Sequence, residues 1–410
     1  MGNIINIYPI DFDENANGKF VKTTDFKDKE WVLGNIYWYP FIEKIYNITF
    51  NYSETDTILF LTYNGQALSL LPEKQWFLDV KKGLDNGIYK KVIIYQNEVN
   101  WDTFHKILEI EDFFYEIFGD DSRFVFVRNI FKSRYTFTKI NATYTFGCFP
   151  FQIFHNINEK IKFDELLEYR NSSKLLKPFE KKYHLFSANC NVKEERLHLY
   201  QFLEKGNYWD KVNASFFLPL YNRNKKRFNI QDFINEKFLY ANTGGGEVFK
   251  SHLGELDLDI NYHPKKMKYD NFSQVKNLAL EDNIECLFQL ILETRYNSPC
   301  GIVLSEKIFK GFIYKTPFII YAQNDVLKLL KEYGFKTFDW LIDESYDREI
   351  DDKRRFELVL NETKKLLDTP LDELNEKIQK NSDIFEYNFE KIKEFAYSEI
   401  DKIYKLFDVQ

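Results

Sequence analysis

Cysteine is scarce in this chain. There are 4 cysteines in 410 residues, and no two of them are close enough to form a C-x-x-C pair. A small disulfide-bonded scaffold needs a higher density of cysteine, and a zinc ribbon needs two such pairs. The composition therefore excludes the first class and disfavours the second. The four residues are Cys148, Cys190, Cys286 and Cys300.

Long apolar runs are also missing. No window approaches the roughly 18 uninterrupted apolar residues of a membrane span, so we expect none. The first residues, MGNIINIYPIDFDENANG, hold no basic segment followed by a long apolar stretch, and Asn6 stands where a myristoylation signal has Ser or Thr. These features predict a cytoplasmic protein without a signal peptide or lipid anchor.

The chain lacks an excess of positive charge. Its formal net charge is −7 and its pI is about 5.6. This balance is not typical of a nucleic-acid-binding protein. Residues 222–227 (NRNKKR) and 263–268 (HPKKMK) are local basic clusters, which leave open a basic patch, with solvated loops as the alternative.

Signatures of hydrolases and metalloenzymes are missing as well. The six histidines show no H-x-x-x-H or H-E-x-x-H spacing, and no G-x-S-x-G or Cys-His signature occurs. Residues 257–259 (DLD) match an acidic pattern that binds metal–nucleotide complexes, but such short patterns are frequent. Residues 242–247 (NTGGGE) could cradle a phosphate or form a loop, because no strand-to-helix transition frames them. We expect no metal and no resident cofactor.

What is present indicates a folded α/β protein. Hydrophobic residues make up 44% and charged residues 29% of the chain, and its length suggests about two or three domains. In the N-terminal part, apolar runs rich in β-branched and aromatic residues alternate with a segment of helical spacing at 100–119, which predicts parallel α/β layers over residues 1–181. The predicted strands are residues 57–63, 91–97 and 123–129, with 134–146 as a hairpin or an edge strand.

A second α/β domain is predicted over residues 182–368. Residues 183–190 read as a strand and 191–207 as a helix that ends at Gly206, where a left-handed conformation suits glycine. A further strand at 211–218 completes a βαβ unit.

The same pattern recurs further along the chain. Residues 301–304 (GIVL) predict a strand, Ser305 a helix cap, and 317–322 (PFIIYA) a strand buried on both faces. Ile308, Phe309, Phe312 and Ile313 share one face of the intervening helix. Asn324 or Asp325 is expected to cap the next helix, and Gly334 to close it.

From residue 369 to 410 the sequence becomes charged and helical. The spacing of its apolar residues predicts one face packed on a domain. These residues are Phe389, Ile392, Phe395, Ile400 and Ile403.

Residues Ser305, Glu306 and Lys307 stand where the predicted strand passes into the predicted helix. Ligands of parallel α/β sheets bind beyond the carboxyl ends of strands, and the first turn of a helix attracts anions. Lys307 adds a positive charge and Lys310 can share its face. Glu306 would repel phosphate, so ribose hydroxyls suit it better. The triplet predicts a nucleoside diphosphate site, with a solvated helix start as the alternative.

Two segments resemble a known family. Residues 292–347 (LETRYN to DESYD) resemble the C-terminal half of GT-B-type glycosyltransferases that are common in bacteriophage genomes and distantly similar to α-1,3-fucosyltransferases. Residues 186–216 resemble the strand–helix start of the same domain, where the family carries an Asn and an Arg. The resemblance covers roughly residues 183–355. The matching positions are Asn189, Arg196, Glu293, Ser305, Glu306, Lys307, Lys310, residues 317–318, residues 334–338 and residues 343–346.

The resemblance implies a GT-B-like α/β fold, with two Rossmann-type domains facing a cleft and helices at the C-terminus. It implies a metal-independent transferase with a nucleotide-sugar donor, Glu306 on the ribose, and Lys307 and Arg196 on the diphosphate. Val303 stands three residues before Glu306, where the fucosyltransferase-like pattern often has Tyr. A stacking contact is therefore lost or supplied elsewhere. The full predicted donor site is Asn189, Arg196, Glu293, Ser305, Glu306, Lys307 and Lys310.

Sugar transfer to an acceptor hydroxyl also needs a general base, usually a carboxylate of the other domain. Glu98 follows a predicted strand and is our candidate, with a loop or capping role as the alternative. The acceptor could be DNA with a hydroxylated base, a protein or a glycan, in the host cytoplasm if a phage encodes the chain. Two other classes stay open: a non-catalytic nucleotide- or sugar-binding module, and a structural or interaction protein.

Overall fold

The structure of the chain is a computed structural model. The described residues are 3–13, 19–22, 46–64, 74–98, 104–130, 132–133, 135–145, 181–189, 193–216, 253, 285–293, 296, 301–302 and 307–407.

Strands occur in both halves of the chain. They are β1 (Asn3–Asp13), β2 (Lys19–Lys22), β3 (Ile48–Tyr52), β4 (Thr57–Asn64), β5 (Tyr89–Glu98), β6 (Phe124–Asn129), β7 (Lys132–Ser133), β8 (Ala142–Thr145), β9 (Tyr183–Asn189), β10 (Val212–Phe216), β11 (Cys286–Leu292), β12 (Gly301–Ile302) and β13 (Phe318–Tyr321).

Helices alternate with many of these strands and dominate the C-terminal part. They are α1 (Lys74–Asp85), α2 (Phe104–Phe118), α3 (Glu194–Lys205), α4 (Lys307–Ile313), α5 (Val326–Glu332), α6 (Asp352–Asp368), α7 (Leu371–Lys380) and α8 (Asp383–Leu406). Within the described part of the chain, each helix is too short or too polar to cross a bilayer.

The chain forms two compact units that are discontinuous along the sequence. Unit 1 comprises Met1–His155, Ser298–Glu306 and Ile392–Gln410, and unit 2 comprises Asn156–Asn297 and Lys307–Lys391. Helix α8 contributes residues to both units. The predicted boundary at 181/182 adjoins residues 146–180, which lie outside the described residues, and the predicted domain limits stay predictions.

Unit 1 is built on a seven-stranded sheet. Its strand order is β2-β1-β4-β5-β6-β8, with β3 also paired to β1. β2 runs antiparallel to β1, and the other neighbouring strands are parallel. β4, β5 and β6 confirm the three strands predicted from their apolar runs. The segment predicted as a hairpin or an edge strand supplies β8, which lies at the edge of the sheet.

Aromatic side chains fill the core between this sheet and helices α1 and α2. Phe77, Phe114 and Phe126 are buried, and the rings of Phe118 and Phe124 stack with centroids 4.2 Å apart. Burying each such ring stabilises the fold by about 2–3 kcal/mol. The three- and four-residue spacing that predicted α2 therefore reflects the face that packs on the sheet.

The end of α8 completes unit 1. The ring of Tyr404 stacks on Tyr46 with centroids 3.7 Å apart. The ring of Phe407 lies 5.0 Å from that of Phe50 and 5.7 Å from that of Phe60, on strands β3 and β4. Residues more than 300 positions apart along the chain thus share one core.

Unit 2 contains a four-stranded sheet in which all strands are parallel. Their order is β10-β9-β11-β13. Every residue of β11 and β13 is buried, as expected for parallel strands covered on both faces. The βαβ unit predicted after residue 182 is present as β9, α3 and β10. Strand β11 was not among the predicted strands.

Residues 301–304 were predicted to form a strand of this parallel sheet. For Gly301–Ile302 the prediction was wrong, because these residues belong to a separate two-stranded sheet. β12 comprises Gly301–Ile302 and pairs antiparallel with β7 of unit 1. The four-residue apolar run is short, and its partner is a two-residue strand distant in sequence. Tertiary pairing therefore decided its place, and β11 is the strand that precedes α4 in the sheet.

Two helix ends differ in detail from the predictions. Gly206 has φ −84°, and the left-handed residue is Asn207 with φ 52°. Asp325 precedes α5 with φ 65°, but its side chain makes no capping bond. The distant Asp347 carboxylate instead accepts hydrogen bonds from the N–H groups of Leu327 and Lys328, at 2.9 and 3.1 Å. The prediction for Gly334, which closes α5 with φ 86°, is confirmed.

The C-terminal residues form α7 and α8, consistent with the predicted helical character. All five apolar residues predicted to share one face of α8 are buried. Within unit 2, the Asn388 amide donates to the Lys336 carbonyl and accepts from its N–H, at 2.8 and 2.9 Å. This pair of bonds fixes the loop that follows α5.

Candidate functional site

The candidate site lies at the carboxyl edge of the unit 2 sheet. Parallel strands end at the same edge, and Asn189 ends β9 while Glu293 follows β11. Gln289 pairs with Phe186 in the parallel ladder of β11 and β9. The same register three residues further along places Asn189 beside Leu292. Two predicted donor residues from segments about 100 positions apart therefore meet at this edge.

Lys307 joins them from the start of α4. Its Nζ lies 3.9 Å from the Oε2 atom of Glu293. Glu293 is buried, whereas about a quarter of the Lys307 side chain is exposed. Because α4 has only seven residues, the ammonium group rather than a helix dipole supplies most of the positive charge here. Glu293 and Lys307, each predicted as a donor residue, thus form an ion pair.

Arg196 lies in the first turn of α3, directly after β9. Its Nε atom is 3.8 Å from Oε1 of Glu195, and both side chains are buried. Burial raises the pKa of Glu195, while the positive charge of Arg196 opposes that shift. A second cation is therefore held at the same edge of the sheet, again beside a carboxyl group.

Asn189 is fixed by hydrogen bonds within the sheet. Its Nδ2 donates to Oγ of Ser187 at 3.2 Å, and that hydroxyl donates to the carbonyl of Leu290 at 3.0 Å. The amide is thereby oriented by β11, the strand that carries Glu293.

Arg355 organises the backbone at the end of β13. Its guanidinium donates to the carbonyls of Ala322, Glu349 and Tyr296, at 2.9, 2.7 and 3.0 Å, and pairs with Asp352. The rings of Tyr296 and Tyr321 lie 4.8 Å apart, and burial raises the pKa of both phenols. This assembly leaves both tyrosines neutral and fixes the loops beyond β11 and β13.

The acidic residues 343–347 have a structural role. Glu344 accepts from the N–H of Phe338 and the hydroxyl of Thr337, each at 2.8 Å, and Asp343 caps the short turn at Glu344–Arg348. Burial raises the pKa of Asp347 to about 6 while it caps α5. Residues 343–347 (DESYD) therefore connect the start of α5 to the loop that follows this helix.

Distantly similar solved structures include the following two. A structure titled as α1,3-fucosyltransferase with GDP-fucose aligns with a TM-score of 0.38 and 11% identity, over 98% of this chain and 91% of that one. The N-terminal domain of trehalose-6-phosphate phosphatase from Candida albicans aligns with a TM-score of 0.36 and 10% identity, over 94% and 77%. No protein-family model and no curated protein matches the chain. Alignments this loose transfer no residue assignment.

Several predicted residues lie outside what the structure describes. Ser305 and Glu306 are outside the described residues, and so are Val303 and the segments at 222–227, 242–247, 257–259 and 263–268. Lys310 lies within α4, but its side chain is not described. Their predicted roles stay predictions.

Glu98, the candidate general base, is the last residue of β5 in unit 1. Its predicted place at a strand end is confirmed, whereas its side chain is not described. Within the described residues, no three His, Cys, Asp or Glu side chains are grouped closely enough to hold a metal ion. The described donor residues and the candidate base belong to different units.

Sequence reasoning missed Glu195, Gln323 and Arg355, which are all buried at or near the carboxyl edge of the unit 2 sheet. Glu195 stands in a run of charged residues at a helix start, KEER, where burial cannot be told from exposure by periodicity. Gln323 was a weak but available signal, since a polar residue directly after a buried parallel strand points to the ligand edge.

Proposed function

We propose that the chain is a glycosyltransferase that binds a nucleotide sugar at the carboxyl edge of the unit 2 sheet. The observation that carries this proposal is the 3.9 Å contact between Lys307 and Glu293 at that edge. Asn189 and Arg196, also predicted as donor residues, lie at the ends of the adjacent elements β9 and α3. These positions at the carboxyl edge of a parallel sheet support the proposal.

The chemistry follows from the two cations. Transfer of a sugar releases a nucleoside diphosphate, and the negative charge that develops must be stabilised. Lys307 and Arg196 supply that stabilisation in this proposal, without a metal ion. A hexose or a pentose would fit this scheme equally, since the cations act on the diphosphate.

The carboxyl groups beside these cations favour a second candidate function. Glu293 and Glu195 already offset the charges of Lys307 and Arg196, so a diphosphate would have to compete with them. Such a site can bind a nucleotide weakly without turning it over. A non-catalytic nucleotide- or sugar-binding module is therefore the alternative to the transferase.

The acceptor belongs to the proposal only as a chemical class. A hydroxyl group on DNA with a modified base, on a protein or on a glycan would serve, with Glu98 as the general base. Replacing Glu98 by Gln keeps the size of the side chain and removes the base. If Glu98 has this role, transfer falls by about two orders of magnitude or more while donor binding is unchanged. Undiminished transfer by the variant would remove Glu98 from the mechanism.

The test of the donor site starts from a panel of nucleotide sugars. Purified protein is titrated with GDP-fucose, GDP-mannose and UDP-glucose by calorimetry, and release of the nucleoside diphosphate is followed with time. We expect Lys307→Ala to weaken binding about tenfold or more, because it removes a charge-assisted contact of about 1.5–3 kcal/mol. Lys380→Ala, at an exposed surface ion pair in α7, is the matched control.

Three outcomes separate the functions. Binding that Lys307→Ala weakens, together with slow release of the diphosphate, supports the transferase. The same binding without turnover across acceptors supports the non-catalytic module. Absence of binding to every nucleotide sugar, at millimolar concentrations, would contradict both.

A further inference from the structure

Three hydrogen-bonding atoms near the ligand-binding edge of unit 2 have no hydrogen-bond partner. They are Oε1 of Glu195 and both amide atoms, Oε1 and Nε2, of Gln323. The two residues are 1% and 3% exposed. A buried polar group without a hydrogen bond costs about 1–3 kcal/mol, so each one in a native fold calls for a reason.

Loose packing does not explain these atoms. The neighbouring Asn189 amide and the Arg355 guanidinium both donate hydrogen bonds. Among the residues that the structure describes, Gln323 is the one amide side chain whose oxygen and nitrogen are both fully buried and without a hydrogen-bond partner. Gln323 therefore stands out because its whole amide, and not a single atom, is buried without a partner.

Both positions lie at the edge of the sheet where a ligand of a parallel sheet binds. Glu195 lies in the first turn of α3, after β9, and Gln323 lies two residues beyond the end of β13. The rings of Tyr296 and Tyr321 lie 4.8 Å apart beyond β11 and at the end of β13, and Tyr321 is two residues before Gln323.

We propose that Glu195 and Gln323 form a subsite for vicinal hydroxyl groups of the nucleotide-sugar donor. This step rests on the proposed function. A hydroxyl group both donates and accepts a hydrogen bond, and the Gln323 amide offers both complements, with the Glu195 carboxyl group as a further acceptor at the same edge of the sheet. A phosphate would meet the carboxyl group of Glu195 unfavourably, and Arg196 beside it disfavours a cation. The ligand chemistry that fits is a diol, from either the ribose or the transferred sugar.

The test uses Gln323→Leu and Glu195→Gln in the full chain. Calorimetry with GDP-mannose and UDP-glucose should show binding about five- to tenfold weaker for Gln323→Leu and a smaller loss for Glu195→Gln. Gln323→Leu should unfold at the same or a higher temperature than the wild type, because leucine leaves no unsatisfied amide. Gln289→Leu is the matched control, since Gln289 is equally buried but lies within β11. Its binding should equal that of the wild type.

Two further ligands distinguish the sources of the diol. If the ribose is bound, wild type prefers GDP to 2′-deoxy-GDP and Gln323→Leu loses that preference. If the sugar is bound, Gln323→Leu weakens GDP-mannose but leaves GDP unchanged. Equal binding of the donors by wild type and both variants would overturn the subsite while the proposed function stands. Failure of the wild type to bind any nucleotide would overturn both.

Discussion

Asp347 provides a sharp test of the energetics of unit 2. Its carboxylate accepts the N–H groups of Leu327 and Lys328 at the start of α5, yet burial raises its pKa from 3.8 to about 6. The folded chain therefore binds more protons than the unfolded chain between these values. The contribution of Asp347 to the free energy of unfolding must fall as pH rises through that window.

The size of the effect follows from the shift. A difference of about 2 pKa units, at about 1.4 kcal/mol per unit, corresponds to about 3 kcal/mol. Asp347→Asn cannot ionise, so its unfolding free energy lacks this component. We expect the variant to lose up to about 1–2 kcal/mol at acid pH, where it gives up part of the helix cap. At neutral pH it should equal or exceed the wild type.

The assay is chemical denaturation of both proteins at about pH 4 and 7.5, with amide exchange of Leu327 and Lys328 as a local measure. Asp343→Asn is a control of opposite sign, because the N–H of Ser345 lowers the pKa of Asp343. That variant should lose stability relative to the wild type as pH rises towards about 3.8, so these two proteins are also compared at about pH 2.5. The reasoning is refuted if the difference in unfolding free energy between wild type and Asp347→Asn is constant with pH, or favours the wild type more at neutral pH. In that case burial does not dominate the pKa of Asp347.

Three further substitutions, one of them with a control substitution, test the fold. Gly334→Ala should destabilise unit 2 by about 1–3 kcal/mol, because φ is 86° and a Cβ would lie 2.7 Å from Cε of Lys391. Gly87→Ala is its control, because Gly87 has φ 73° but open space where the Cβ would lie. Its loss of stability in denaturant unfolding therefore measures the backbone part of that cost alone. Phe114→Ala should cost about 3–5 kcal/mol, since the ring is fully buried, and a loss below 1 kcal/mol would contradict the core of unit 1. Arg355→Met should cost about 3 kcal/mol or more, because three carbonyls lose their donor, and it should weaken nucleotide-sugar binding as the tyrosine loop loosens.

Much of the fold could be predicted because local pattern and tertiary environment agree. β4, β5 and β6 are apolar, β-branched runs that lie in a parallel sheet, and α2 places its spaced aromatics in the core. β11 (CLFQLIL) carries the same signal, but its central Gln289 and the absence of a clear turn before it concealed the strand. β12 shows the opposite case, in which a short apolar run pairs with a distant partner that no local pattern reveals.

The candidate site was predictable only in part. Motif spacing identified Asn189, Arg196, Glu293 and Lys307, because their chemistry suits a diphosphate and their positions follow strands. Sequence could not show that Glu293 lies against Lys307, since a pair 14 residues apart is set by the loop between them. It also could not identify Asp347 as the cap of α5 in place of Asp325, because a carboxylate 20 positions away is brought near by tertiary folding.

The aromatic contacts of Phe407 and Tyr404 with Phe50, Phe60 and Tyr46 bear on how the chain folds as it is synthesised. The first strands to leave the ribosome cannot bury these rings until about 350 more residues have been translated. Unit 1 must therefore wait, with part of its apolar surface uncovered, while unit 2 is being made. Nascent chains stalled before residue 400 should accordingly recruit chaperones that bind exposed aromatics, and release them once the last helix emerges.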